Sequence, residues 1–193
     1  MKKILVILGH PDSESFSGAL ADAYAEGARS GGAEVRCLRL GEFEFDPVLS
    51  GKGRHEPPAE TDLVTSQESL TWADHVVFAY PIWWATPPAL LKGFIDRVLL
   101  PGFAYQSSGE KNKMAEPLLG GRTAHLLITM DSPSWYYRWF TGRPNHKMMK
   151  RGVLHFCGIK PVRISEYTPI KTSSEEQRTR WLADARRKGL LLQ

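Results

Sequence analysis

Tyr80-Pro81-Ile82-Trp83-Trp84-Ala85-Thr86-Pro87-Pro88-Ala89-Leu90-Leu91-Lys92-Gly93-Phe94-Ile95-Asp96-Arg97 ends one element, crosses a loop and opens another. The run that leads into it, His75 to Tyr80, reads as a strand covered on both faces, and it breaks at Pro81, which has no N–H to give a ladder. Downstream, Leu90, Leu91, Phe94, Ile95, Val98 and Leu99 recur in two adjacent helical rows. Thr86 suits an N-cap and Pro87 a first helical turn, so the reading predicts a helix that starts there. Between strand and helix stand two adjacent tryptophans. Burying so much aromatic surface is favourable, and leaving it in a loop calls for a partner, a flat ligand above all.

The same alternation extends in both directions. Ile4 to Leu8 is a second continuously apolar run, followed by a helical face of Leu20, Ala23, Tyr24, Gly27 and Ala28 that ends at Gly31-Gly32. Val35, Cys37, Leu38 and Leu40 suggest a strand, as do Ala124 to Thr129 and Val162 to Tyr167. Arg151 to Phe156 reads as helical. Ser173-Ser174-Glu175-Glu176 reads as a capping box for a last helix whose inward stripe is Trp181, Leu182 and Ala185. Five strands alternating with helices predict an α/β domain, a doubly wound parallel sheet with helices on both faces. No repeat, low-complexity segment or domain boundary breaks residues 1–193, so one domain is expected. Three connections are long: Gly41 to about Thr61, Pro101 to Gly121, and Asp131 to about Lys147.

The formal net charge is +4, and the basic residues form no single block. The nearest to a cluster is Arg138, Arg143, Lys147, Lys150 and Arg151. Such a surface suits anionic small molecules, and no nucleic-acid-binding motif accompanies it. Cys37 and Cys157 form no CxxC and are expected as free, buried thiols, which fits a cytoplasmic protein. Met1-Lys2-Lys3 before Ile4 to Leu8 resembles a signal start but is too short, and no run approaches the roughly eighteen apolar residues of a membrane span.

Ligands of an open parallel sheet sit beyond the carboxyl ends of its strands, where strand order reverses. Three such ends carry chemistry here: His10 with Ser15-Phe16-Ser17, then Pro81-Ile82-Trp83-Trp84, then Thr129-Met130-Asp131-Ser132. The first lacks GxGxxG and Walker patterns but can hold a phosphate through N–H groups at a helix start, the Ser15 and Ser17 hydroxyls and His10. The helix dipole adds only about 0.3–1 kcal/mol, whereas each hydrogen bond to a charged phosphate adds about 1.5–3 kcal/mol, so the number of donors decides the binding. The plain alternative makes Ser17 an N-cap and His10 a turn residue. His10-Pro11-Asp12-Ser13-Glu14 also resembles the His-Pro-Asp-Asp-Glu run of zinc-dependent sugar N-deacetylases. Ser13 replaces a metal-binding carboxylate there, and no second histidine cluster completes the site, since His125 and His155 lie in apolar runs.

His10…Ser15-Phe16-Ser17, Pro81-Ile82-Trp83-Trp84…Pro88-Ala89-Leu90-Leu91-Lys92-Gly93-Phe94-Ile95-Asp96-Arg97, Gly102-Phe103-Ala104-Tyr105 and Pro117-Leu118-Leu119…Gly121-Arg122, in this order and spacing, resemble the NAD(P)H:quinone oxidoreductase family. The small bacterial members, ancillary reductases of potassium-efflux systems among them, look nearest. The resemblance runs from Lys3 to about Pro133. It implies a flavodoxin-like fold with five parallel strands in the order 2-1-3-4-5, a homodimer, and FMN (alternatively FAD) in each subunit. It also implies NADH or NADPH as co-substrate and a quinone or similar flat acceptor, with the flavin carrying the hydride between them. By position, His10, Ser15, Phe16 and Ser17 would hold the flavin's phosphate end. Pro81, Ile82, Trp83 and Trp84 would line its ring, and Thr129, Met130, Asp131 and Ser132 would meet its pyrimidine side. The family places a Tyr and often a His near the ring, and Tyr136, Tyr137 and His146 are the candidates here.

One departure stands out. The family's fourth-strand loop is glycine-rich, and this chain has Asp131 in it. A carboxylate there opposes the anionic reduced flavin, unless it turns away, caps the next turn or pairs with Arg138 or Arg143. Trp135-Tyr136-Tyr137-Arg138-Trp139-Phe140, with five aromatics in six positions, reads as a lid or a dimer contact. Two other readings stand beside the enzyme: a flavodoxin-type electron carrier, which a basic chain suits poorly, and a regulatory subunit of a membrane transporter with secondary reductase activity.

Overall fold

The computed structural model describes residues 1–50, 58–106 and 115–191. In chain order the elements are β1 (Lys3–Leu8), α1 (Phe16–Ser30), β2 (Glu34–Arg39), a short 3-10 turn (Leu40–Glu42), α2 (Thr61–Trp72), β3 (His75–Pro81) and α3 (Ala89–Val98). They continue with β4 (Tyr105–Gln106), β5 (Glu116–Pro117), β6 (Thr123–Thr129), α4 (Ser134–Trp139), α5 (Pro144–Lys147), a π-helical stretch (Met148–His155), β7 (Val162–Tyr167) and α6 (Glu175–Leu190). The main sheet is five-stranded and parallel in the order β2-β1-β3-β6-β7, and β4 and β5 form a separate two-residue antiparallel pair. The order of the five principal strands is therefore the expected 2-1-3-4-5. Strand order reverses at β1/β3, where the chain winds first to one side and then to the other.

The central strands are apolar because helices cover both of their faces. Leu5, Ile7, Val76, Phe78, Tyr80, Leu126 and Ile128 pack with residues of α2, α3 and the π-helical stretch. The alternate positions Ile4, Val6, Leu8, Val77, Ala79 and Leu127 pack with α1 and α6. On that second side, α1 and α6 touch backbone to backbone. A Cβ on Gly27 would lie 1.9 Å from the Arg186 carbonyl oxygen, and one on Gly189 would lie 2.1 Å from that of Tyr24.

Several local expectations are corrected. The helix after β3 begins at Ala89, not at Thr86, because Trp83 and Thr86 exchange two backbone hydrogen bonds of 2.9 and 3.0 Å. That exchange closes a two-residue turn whose central residues, Trp84 and Ala85, sit at φ 51° and 64°. The Thr86 hydroxyl then donates back to the Trp83 and Pro87 carbonyls instead of capping the helix. The last helix is capped one residue later than expected: Ser174 accepts from the Gln177 N–H, so Gln177 takes the capping-box position read as Glu176. Cys37 is exposed because β2 is a sheet edge with one well-covered residue, whereas Cys157 is buried. The segment expected to be helical from Arg151 is part of a longer π-helical stretch, and two short helices occupy the connection after Asp131. The middle parts of the long connections near 51–57 and 107–114 lie outside the described residues.

Candidate functional site

The carboxyl ends of β1, β3 and β6 converge as the strand-end rule requires. Gly9 N–H donates to the Ala79 carbonyl at 2.9 Å, and Ile82 N–H donates to the Thr129 carbonyl at 2.8 Å, so the three exits are tied side by side. The Ser17 hydroxyl, on the first turn of α1, lies 2.9 Å from that of Thr129, and the pair is buried. The result is a hollow of about 190 Å³ lined by His10, Ser15, Phe16, Ser17, Pro81, Ile82, Trp83, Thr129, Met130, Asp131 and Ile170.

One wall of the hollow is built of donors. Ser15 caps α1, its oxygen accepting from the Gly18 N–H at 3.2 Å, which leaves its own proton free to donate. Ser17 and Thr129 share a single hydrogen bond, so one proton of that pair also remains available. His10 Nδ1 lies 2.9 Å from the Asp12 N–H and 3.0 Å from the Asp12 carbonyl oxygen. A neutral ring accepts from the first and a protonated ring donates to the second. Nδ1 is thus satisfied in either charge state, and Nε2 is left as the ring's free nitrogen. The other wall is flat and apolar. Trp83 stands edge-on to His10, with ring centres 5.4 Å apart, and Pro81, Ile82, Met130 and Ile170 line the hollow with it.

Of the residues read as ligands, Trp84 and Ser132 do not line the hollow. Trp84 is 98% exposed at the tip of its turn and faces a separate apolar groove with Pro87, Pro88, Lys92 and Met148. Asp131 pairs with no arginine among the described residues; its Oδ1 accepts from the Lys171 N–H at 2.8 Å, and the residue lines the hollow. Arg143 pairs instead with Glu166 at 3.2 Å.

Tyr136, Tyr137 and His146 do not line the hollow; Tyr137 and His146 form a layer behind the Trp84 turn, and Tyr136 lies on the surface. The buried Tyr137 hydroxyl donates to the Ala85 carbonyl at 3.3 Å and accepts from the Asn145 N–H at 3.1 Å. Asn145 in turn donates to the buried Tyr80 hydroxyl at 3.0 Å. His146 packs its ring 5.4 Å from that of Tyr137 and places Nε2 2.8 Å from a Glu166 oxygen. Hydrogen bonds from His146 and Ser134 and the charge of Arg143 outweigh burial and hold the Glu166 carboxyl below its ordinary range. Tyr136 is half-exposed and stacks on Phe140 at 5.2 Å. Trp135, Trp139 and Phe140 are largely exposed. His125 is buried in the core with Nε2 2.9 Å from the Ser165 hydroxyl, far in role from a metal ligand.

Ile170 was not anticipated. It belongs to the loop that follows β7, so the strand-end rule, applied to the fifth strand as well, would have flagged it. Its N–H donates to the Met130 carbonyl at 3.1 Å. Removing the Ser17 hydroxyl would leave Thr129 Oγ1 buried without its partner. Ser17→Ala is expected to lower stability by about 1–3 kcal/mol, read as a lower urea midpoint at unchanged slope.

A family profile described as flavodoxin-like fold matches residues 2–188. A mouse (Mus musculus) protein named ribosyldihydronicotinamide dehydrogenase [quinone] is 32% identical over 209 residues, which span 94% of this chain and 88% of the relative. The chain belongs to this NAD(P)H:quinone oxidoreductase family of the flavodoxin-like fold. Among its solved relatives, the Smu.1420 structure from Streptococcus mutans superposes with TM-score 0.85 at 32% identity, covering 98% of this chain and 99% of that one. NAD(P)H:quinone oxidoreductase from Methanothermobacter marburgensis superposes with TM-score 0.81 at 26% identity, covering 100% and 99%. The mouse relative and the Methanothermobacter enzyme are matched over 88% and 99% of their own lengths.

Proposed function

We propose that this protein is a flavin-dependent oxidoreductase that moves a hydride from NADH or NADPH to a quinone or another flat acceptor, with FMN in the rim hollow. The observation that carries this reading is the hollow's two-sided build, with hydroxyl donors and a helix start on one wall and a flat apolar surface on the other. Those residues fit a flavin mononucleotide. N–H groups at the start of α1 with Ser15, Ser17 and His10 would take the phosphate, and Pro81, Ile82 and Trp83 would take the ring. Thr129, Met130 and Asp131, which line the hollow, would meet the pyrimidine side. FMN is the preferred flavin and FAD the alternative.

When bound, the flavin supplies two-electron hydride chemistry between coenzyme and acceptor. The chain's own residues bind it, hold its orientation and shape the slot above it. Tyr137, fixed between Ala85 and Asn145, would hold the Trp84 turn in place. His146 would act from the same layer and Tyr136 from the surface. We further read the exposed aromatics Trp84, Trp135, Trp139 and Phe140 as the contact of a homodimer working in the cytoplasm. Among the described residues no helix is long and apolar enough to cross a membrane.

The test is direct. The purified protein, supplied with FMN, is expected to bind it and to oxidise NADH or NADPH only while a soluble quinone is present. Initial rates should fit a ping-pong pattern, since both substrates use one slot. Protein that retains neither FMN nor FAD, and that oxidises neither coenzyme with quinone present, would defeat the proposal.

A further inference from the structure

The loop after β7 is sewn into the rim at several points. Met130 N–H donates to the Tyr167 carbonyl at 3.3 Å, and Ile170 N–H donates to the Met130 carbonyl at 3.1 Å. The Thr168 hydroxyl donates to the Ser132 carbonyl at 2.6 Å. Behind the loop, the Ile170 carbonyl accepts from the Ser173 hydroxyl at 2.6 Å and from the Arg178 guanidinium at 3.1 Å. Arg178 also lies 5.7 Å above the ring of Phe16, another lining residue. Each of these hydrogen bonds ends on a backbone carbonyl, and one further bond ends on a side chain. The Lys171 N–H is held by Asp131 Oδ1 at 2.8 Å, and Asp131, exposed at the rim, is itself a lining residue of the hollow.

A carboxylate is an odd choice for that duty alone. An asparagine oxygen accepts the same hydrogen bond, and the other groups lining the hollow are donors or apolar. A negative charge on the wall repels an anion and so biases whatever redox group the hollow holds. Two-electron, one-proton reduction of a flavin adds one negative charge to it. A carboxylate at the ring's edge therefore favours the oxidised form and lowers the reduction potential.

We propose that Asp131 is a positioning residue with two roles. One oxygen latches the loop after β7 so that Ile170 forms a fourth wall, and the side chain's charge lowers the reduction potential of the bound redox group. The first role stands on the protein alone, and the second rests on the flavin reading of the hollow.

Asp131→Asn and Asp131→Ala separate the two. In the flavin-free protein, Asp131→Ala is expected to speed hydrogen exchange at the Lys171 and Ile170 amides, while Asp131→Asn keeps them protected. In titrations with FMN, Asp131→Ala should bind at least about tenfold more weakly than the Asn variant. Asp131→Asn should raise the midpoint potential of bound FMN relative to the unmodified protein by at least about 30 mV, a tenfold shift of a two-electron equilibrium. Equal exchange in all three proteins would overturn the latch. Equal potentials in the Asn variant and the unmodified protein would overturn the charge role. If the unmodified protein binds no FMN, the flavin reading fails while the exchange measurement still decides the latch.

Discussion

Gly18→Ala is expected to weaken FMN binding by at least about a hundredfold while leaving a folded protein. Gly18 is the third residue of α1, directly after Phe16 and Ser17, and its Cα faces the turn that feeds the helix. A Cβ built there lies 2.1 Å from the Ser13 carbonyl oxygen and 3.1 Å from its carbon. Both are backbone atoms, so no side chain can swing aside. Alanine is the better helix former by about 0.8–1 kcal/mol, but overpacking of this kind costs about 1–3 kcal/mol, so the clash wins modestly in stability. Function suffers more. The loop from Asp12 to Ser15 has to retreat by most of an ångström. That breaks the Ser15–Gly18 cap and swings the Ser15 and Ser17 hydroxyls and the first N–H groups of α1 off a common target. Losing two hydrogen bonds to a charged phosphate, at about 1.5–3 kcal/mol each, amounts to two orders of magnitude or more in affinity. Titration of FMN fluorescence reads the effect directly. Gly152→Ala, whose Cβ would meet nothing within 4 Å, should bind FMN as the parent does. Parental affinity in Gly18→Ala would mean that the helix start does not hold the phosphate.

The sheet was legible because its information is local in composition. Ile4 to Leu8, His75 to Tyr80 and Ala124 to Thr129 are apolar without alternation, which only strands covered on both faces require, and those three are the central strands. Their order followed from the winding rule and the family likeness. The site was legible for a related reason: its ligand-facing residues sit at strand ends, whose positions the strands fix. What the sequence hid depends on contacts across long separations. The start of α3 was misplaced because Trp84 and Ala85 take positive φ, which nothing in their residue types announces and which the paired backbone bonds of Trp83 and Thr86 impose. Ile170 lies forty residues from its partners in the β6 exit, and Asp131 reaches Lys171 across the same gap. Both depend on how close β7 brings its outgoing loop. The three aromatic and histidine candidates came from the family likeness, which asks for a Tyr and a His near the ring, and folding sorts them by burial: Tyr137 and His146 into a hydrogen-bonded layer, Tyr136 onto the surface. Cys37 was misread because an edge strand and a central strand share residue types but not neighbours.

Acid should unfold this protein from the end of the sheet opposite the hollow, and His75 should set the upper part of the transition. His75 opens β3 and is buried between Tyr24 and Thr123, its Nε2 3.1 Å from the phenol oxygen and its Nδ1 2.6 Å from the Thr123 hydroxyl. Both partners are hydroxyls, so a neutral ring is satisfied and an imidazolium gains no counter-charge. Burial, then the proximity of His125, Lys2 and Arg163, pushes its pKa down to about 3. Unfolded, the same ring titrates near its ordinary 6.5. Between those values the unfolded chain carries a proton that the native chain refuses, so stability falls as pH falls, by about 1.4 kcal/mol per unit. From pH 6.5 to pH 5 the loss integrates to about 1.6 kcal/mol, a sizeable share of the 5–15 kcal/mol typical of a domain. The depressed carboxyls Glu60, Glu166 and Asp184 act lower, where their stabilisation is lost as pH drops below the ordinary carboxylate range. Replacing His75 with glutamine, which can still bridge two hydroxyls but cannot take a proton, should lessen the fall of urea midpoints between pH 6.5 and 5, leaving the part due to His155, whose pKa burial and the nearby Lys150, Lys160 and Arg151 also lower. The carboxylate-driven fall below that range should remain. Because His75 lies at the amino end of β3, FMN affinity measured at pH 7 should not change with the substitution. An unaltered slope of stability against pH in the glutamine variant would show that the ring is protonated in the native state, and that the proton enters without unfolding the sheet.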